Sequence, residues 1–152
     1  IALIKRMYEV FDGQYIESND LPSRGDSRSN LIQQLKALLP QEMGKPYQWG
    51  ATGPDSYDCS GLVYTLYGKM GISLPRVSRD QATAGTYVPK DSLEYGDLVF
   101  FAANGKTVNH VGIYVGNGEF VHAPSTGKVI KKSSLTSGYY NNTYFTARRV
   151  IR

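Results

Sequence analysis

Three side chains in this chain are able to combine in nucleophilic chemistry: Cys59, its only cysteine, and His110 and His122, its only histidines. Cys59 sits in YDCSGLVYTLYG (57–68), behind a loop rich in Gly, Pro and Asp. A helix starting after Asp58 gathers Cys59, Leu62, Val63 and Leu66 into one sector, because residues three, four and seven apart share a face. The thiol then stands at the N-terminal end of the core-facing side. A helix start carries partial positive charge and unpaired N–H groups, which favour a thiolate and can hold an oxyanion. Asp58 opposes the first effect with a negative charge next door. A lone cysteine is otherwise a small buried hydrophobe, so the supply of bases decides between the two readings.

Both histidines fall in strand-like runs, HVGIYVG (110–116) and EFVHA (119–123), joined through GNG (116–118), a hairpin signal. Two registers are open. A two-residue loop, Asn117-Gly118, pairs Gly116 with Glu119 and Ile113 with His122, and the histidines face opposite ways. A three-residue loop, Gly116-Asn117-Gly118, pairs Val115 with Glu119 and Gly112 with His122. His110, Gly112 and His122 then share a face, with room beside His122 where Gly112 has no side chain. A cysteine whose histidine base is oriented by a third polar group is the minimal machinery for acyl transfer. The base ionises the thiol and later protonates the leaving amine, and the orienter fixes the tautomer of the base. A Cys-His-His metal site would use the same three side chains, but no carboxylate or second cysteine stands at ligand-like spacing. No metal or cofactor is expected.

The elements that must position these groups read as helices first and strands after. Residues 1–29 combine a mixed amphipathic start with ESNDLPSRGDSRSN, whose residues favour turns, and are expected to be an arm or linker from a longer protein. From Asn30, a candidate N-cap, LIQQLKALL places Leu31, Leu35, Leu38 and Leu39 on one helical face, and Pro40 ends or kinks the helix. The runs DLVFFA (97–102), HVGIYVG, EFVHA, KVIKK (128–132) and YFTARRVI (144–151) read as strands. That order predicts an α+β domain over residues 30–152, with helices packed on one side of an antiparallel sheet.

Composition sets the bounds. A chain of 152 residues, 41% hydrophobic and 20% charged, has the size of one globular domain and no apolar run long enough to cross a bilayer. A single cysteine excludes an intrachain disulfide, and the opening IALIKRMYEV lacks the features of a signal peptide. The net charge of +4 reads as a solvated basic face that includes Lys128, Lys131, Lys132, Arg148 and Arg149. No nucleic-acid motif accompanies it, so no nucleic-acid partner is expected.

The motifs GKPYQWG (44–50), DCSG (58–61), LPRVSRDQ (74–81), YGDLVFF (95–101) and NHVGIYVGNGEFVHAP (109–124), in this order with the closing strand, resemble the NlpC/p-sixty family of bacterial cell-wall cysteine peptidases. The resemblance runs from about Leu31 to Ile151. It implies a papain-like fold with the catalytic cysteine at a helix N-terminus. It makes Cys59 the nucleophile, His110 the general base and His122 the orienting third member, with the Cys59 N–H and the Tyr47 hydroxyl near the oxyanion. Asp58 and Ser60 are then expected to recognise amino and backbone groups of the substrate, with Arg76 and Ser78 as further substrate-binding candidates. Trp49 is expected to pack. The implied substrate is the peptidoglycan stem peptide, cut between γ-D-glutamate and an L-diamino acid by a monomer working outside the cell in the wall. The competing expectations are a related amidase, cross-bridge peptidase or acyltransferase, or a wall-binding module of a phage or DNA-transfer machine that keeps the fold as scaffold.

Overall fold

In the computed structural model the backbone is described over residues 24–152 and side chains from residue 27 onward, so the first 23 residues of the expected arm lie outside the described residues. The first helix, α1, spans Arg24–Leu38 and so begins before the Asn30 cap. Gly25 and the serines of RGDSRSN cost such a helix no more than about 1 kcal/mol each. The buried turn that follows outweighs them, with Leu35 fully buried, Leu39 nearly so, and Leu31 and Leu38 packed against the same cluster. Pro40 stands in the first turn of a 3-10 segment, Leu39–Glu42, where its missing N–H costs nothing.

Helix α2, Cys59–Lys69, starts where the cysteine motif begins. Asp58 caps it: its side chain accepts from the Gly61 N–H at 2.6 Å, and its carbonyl takes the first helical bond from Leu62 at 3.1 Å. Gly61 is required there, because a Cβ would run into the Ala51 carbonyl. Leu62, Val63 and Leu66 are fully buried, which confirms the predicted face. A short α3, Ser78–Gln81, follows within LPRVSRDQ.

The strands are β1 (Thr86–Tyr87), β2 (Leu98–Phe101), β3 (His110–Gly116), β4 (Glu119–His122), β5 (Lys131–Ser134) and β6 (Tyr144–Arg149). They form one antiparallel sheet in the order β1-β6-β2-β3-β4-β5. Leu98, Phe100, Val111, Ile113 and Val121 face α1 and α2 in the main core. Val99, Phe101, Phe120, Leu135 and Ala147 form a smaller cluster on the other face. That face is partly covered by α4, Gly138–Thr143, whose short polar sequence gives no amphipathic period to read. Strand β5 lies further along the chain than the run 128–132, because Val129 and Ile130 are spent on a bridge to Pro46 and on the core. The whole sheet belongs to the unit Leu31–Ile151.

The hairpin between β3 and β4 combines the two expected registers. Its loop is two residues long, closed by Gly116 opposite Glu119, with Asn117 and Gly118 at φ 56° and 74° as a type I′ turn requires. A bulge at Val115 then shifts the pairing to Tyr114 opposite Phe120 and Ile113 opposite Val121. Beyond the bulge the strands therefore run in the register that brings the histidines to one face. The space over Gly112 is taken by the Phe120 ring, into which a Cβ would project. We expect Gly112→Ala to cost about 1–3 kcal/mol, the usual cost of overpacking a core. Urea unfolding checks this, and an unchanged midpoint would show that the ring moves aside freely.

Candidate active site

The histidine pair is the most constrained part of the site. His110 Nε2 lies 2.7 Å from His122 Nδ1, and His122 Nε2 lies 2.8 Å from the Ser133 hydroxyl. The rings are enclosed by aromatic neighbours: Phe101 has its centroid 5.7 Å from that of His110, and Phe120 lies 4.4 Å from His122. Tyr140 lies 6.0 Å from His110, nearly parallel to it, and 4.9 Å from His122. His122 has no exposed surface. Burial pulls His110 down to about 4. Burial, then the neighbouring His110, then Lys131 drive His122 far below the ordinary imidazole range. Both rings are therefore neutral near pH 7. With Nε2 of His110 engaged by His122, Nδ1 is the nitrogen left to receive a proton, and no hydrogen bond occupies it among the described residues.

Cys59 is partly exposed at the start of α2, close to the beginning of β3. Burial pushes its thiol up to about 11 and the Asp58 carboxylate adds to the push, while the N–H groups of Val111, Ser60 and Cys59 itself work against it. The helix start thus acts as expected, but it is outweighed by desolvation and by Asp58. The Val111 N–H at the thiol places Cys59 beside the residue that follows His110. No hydrogen bond joins the thiol to the His110 ring among the described residues. The Tyr47 hydroxyl is pushed up by burial and then by Cys59 and Asp58, which sets it in the same neighbourhood.

Two cavities border these residues. One, of about 440 Å³, is lined by Cys59 with Tyr47, Asp58, Ser60, Arg76 and Ser78, so it brings together every expected residue except the histidines. The other, of about 400 Å³, is lined by His110 with Phe101, Tyr139 and Tyr140. Asn109 borders both.

Within the first cavity Arg76 donates to Asp58 Oδ2 at 2.8 Å, to Asp58 Oδ1 at 3.2 Å and to Ser60 Oγ at 2.8 Å. Gln81, fully buried, donates to the carbonyls of Ser60 and Pro75 at 3.1 and 2.9 Å and ties the Arg76 loop to the helix start. Trp49 corrects an expectation: it is 84% exposed on the rim of the thiol cavity instead of packing. Sequence reasoning also missed Ser133, Asn109 and Tyr140. The strand run that ended at residue 132 stopped one residue short of Ser133, Asn109 opened the motif NHVGIYVGNGEFVHAP without being given a role, and Tyr140 carried no readable signal.

The sequence profile of the NlpC/P60 family matches residues 44–149, and the chain belongs to that family. It is 44% identical over 145 residues to a γ-D-glutamyl-L-lysine dipeptidyl-peptidase of Bacillus subtilis, covering 92% of this chain and 48% of that protein. It is 43% identical over 118 residues to the murein DD-endopeptidase MepH of Escherichia coli, covering 74% of this chain and 44% of that protein. A crystal structure of an NlpC/P60 family protein from Bacillus cereus superposes with a TM-score of 0.73 at 34% identity, over 90% of this chain and 46% of that one. The chain thus spans about half the length of these relatives.

At neutral pH the resting site holds an uncharged thiol and an uncharged imidazole. A thiol titrating near 11 leaves roughly one thiolate in ten thousand at pH 7. Iodoacetamide labelling of Cys59 should accordingly be slow at pH 7 and rise with each pH unit up to about pH 10. A rate that levels off below pH 7 would show a standing thiolate–imidazolium pair instead.

Proposed function

We propose that residues 30–152 form a cysteine endopeptidase domain that cuts bacterial peptidoglycan stem peptides between γ-D-glutamate and the following L-diamino acid, lysine or diaminopimelate. The observation that carries this reading is the chain of hydrogen bonds from Ser133 through His122 to His110, whose neighbour Val111 turns its N–H to the Cys59 thiol at the start of α2. The B. subtilis relative, whose name contains that bond, supports the choice of substrate. The domain works in the cell envelope.

In this mechanism Cys59 passes its proton to His110 Nδ1 as sulfur attacks the γ-carbonyl carbon. The carbonyl electron pair moves onto oxygen, where the Cys59 N–H and the Tyr47 hydroxyl hold the developing charge. His110 gives the proton to the departing amine, and the C–N bond breaks to leave a thioester. Water, deprotonated by His110, then attacks the thioester, frees the carboxylate and restores the thiol. His122 keeps the proton of His110 on Nε2 throughout, so that Nδ1 stays available. An acceptor amine in place of water would make the same intermediate a transferase.

The E. coli relative named a murein DD-endopeptidase favours a second reading, cleavage of a cross-bridge bond by the same residues. Digestion of purified muropeptides separates the two, because each cut leaves products of different mass. We expect cleavage after γ-D-glutamate by the wild-type protein, none by Cys59→Ala, and no effect of a chelator. His122→Ala should lose no more than about 10⁴-fold in kcat, the cost of removing the carboxylate that orients a serine-triad histidine. Cleavage by Cys59→Ala, or loss of activity with the chelator alone, would contradict the mechanism.

A further inference from the structure

Among the described lining residues Asn109 is common to the two cavities, and half of its side chain has no use within the protein. Its backbone N–H donates to the Phe101 carbonyl at 2.9 Å, and its Oδ1 accepts from the Ala103 N–H at 3.1 Å. The turn it grips is closed by its own bonds: the Gly105 N–H donates to the Ala102 carbonyl at 3.0 Å, and those of Lys106 and Thr107 donate to Asn104 Oδ1 at 2.8 Å each. A carboxamide is planar, so with Oδ1 committed to Ala103 the amide nitrogen and its two hydrogens face the other way. Among the described residues no acceptor meets Nδ2, and Asn109 is exposed. A turn asparagine needs only its oxygen, so Nδ2 is a spare donor beside His110.

The proposed reaction requires one substrate to span both cavities. The attacked carbonyl lies at Cys59 and the departing nitrogen at His110, so the scissile bond crosses the border where Asn109 stands. The oxygen of that carbonyl already has the Cys59 N–H and the Tyr47 hydroxyl. On the leaving side the first backbone acceptor is the carbonyl oxygen of the L-diamino acid, three bonds from the departing nitrogen and therefore about 3 Å from it. That oxygen comes to rest next to His110, and the residue preceding His110 in the chain is Asn109. Ser125, Tyr139 and Tyr140 bring hydroxyls to the same cavity, but none of them borders the thiol cavity.

Building on the peptidase reading, we infer that Asn109 Nδ2 donates a hydrogen bond to the carbonyl of the L-diamino acid, so that Asn109 binds the leaving half of the substrate. Held there, the carbonyl fixes the rotation about the bond between the departing nitrogen and its α-carbon, and the lone pair of that nitrogen stays turned toward His110 Nδ1. The bond to Ala103 sets the donor in place beforehand, so no rotation of this side chain has to be frozen when substrate binds.

The test uses the full chain and two substrates that share the acyl half: L-Ala-γ-D-Glu-L-Lys-D-Ala, and L-Ala-γ-D-Glu joined to 1,5-diaminopentane, which is the lysine residue without its carbonyl. Both leaving groups are alkyl amines that need the proton from His110. Asn109→Asp keeps an oxygen for the Ala103 N–H and removes the donor. At pH 7 we expect it to lower the ratio of kcat/KM for the peptide over the diamine amide about tenfold, the worth of one hydrogen bond to a peptide group. Asn109→Ala, which adds no charge but gives up the turn, should shift that ratio by a similar factor, whatever it does to the two rates together. A displaced His110 would slow both substrates alike, and an unmoved ratio in either variant overturns the inference. If the wild-type protein cuts neither substrate, the peptidase reading fails separately. Where either substrate is left uncut, calorimetric binding of the tetrapeptide to Cys59→Ala still decides. Weaker binding once Asn109→Asp is added supports the inference, and equal, tighter or absent binding overturns it.

Discussion

The hydrogen bond between His110 and His122 is the constraint on which the rest of the site depends. It requires two histidines on separate strands to reach the same face of the sheet within 2.7 Å, and the bulge at Val115 makes that register possible. It requires Gly112, because the ring of Phe120 lies where a side chain would be. It requires Ser133 one strand further out, since a buried imidazole with an unpaired nitrogen would carry a desolvation cost. The aromatic rings around the pair exclude water and set its charge state, so packing and acid-base chemistry cannot be varied independently here.

The charges around the thiol follow the same logic. Burial keeps the thiol and both imidazoles neutral, and the carboxylate at the helix cap is paired with Arg76. The resting site holds little net charge, and in the proposed mechanism charge develops only when substrate arrives with a carbonyl to receive it. Charge separation in a dry site is costly unless it is met by prearranged N–H donors, and the start of α2 supplies those. In the proposed mechanism the helix N-terminus therefore serves the oxyanion more than the thiolate.

Much of this was legible in the sequence because it rests on local rules. The helix start after Asp58, the buried face of α2 and four of the strands follow from spacing and residue type, and the motifs that resemble the NlpC/p-sixty family agree with the family match. The hairpin register was not legible from loop length alone, since a two-residue turn followed by a bulge gives the pairing assigned to a three-residue loop. Ser133 and Tyr140 come to the histidines through strand order and the placement of α4, which are tertiary facts with no local signature. Trp49 was misread because a lone tryptophan has the same composition signal whether it packs or faces solvent. The early start of α1 shows tertiary burial overriding a turn-rich composition.

The central claim is that the histidine pair is held neutral, with one proton per ring and Nδ1 of His110 open to the thiol. Nitrogen-15 NMR of the imidazoles in histidine-labelled protein, followed between pH 5 and pH 8, tests it most directly. Both rings should keep one unchanging Nε2–H tautomer across that range, with Nδ1 of each unprotonated. An imidazolium signal from His110 at pH 6, or a proton on its Nδ1, would contradict the account.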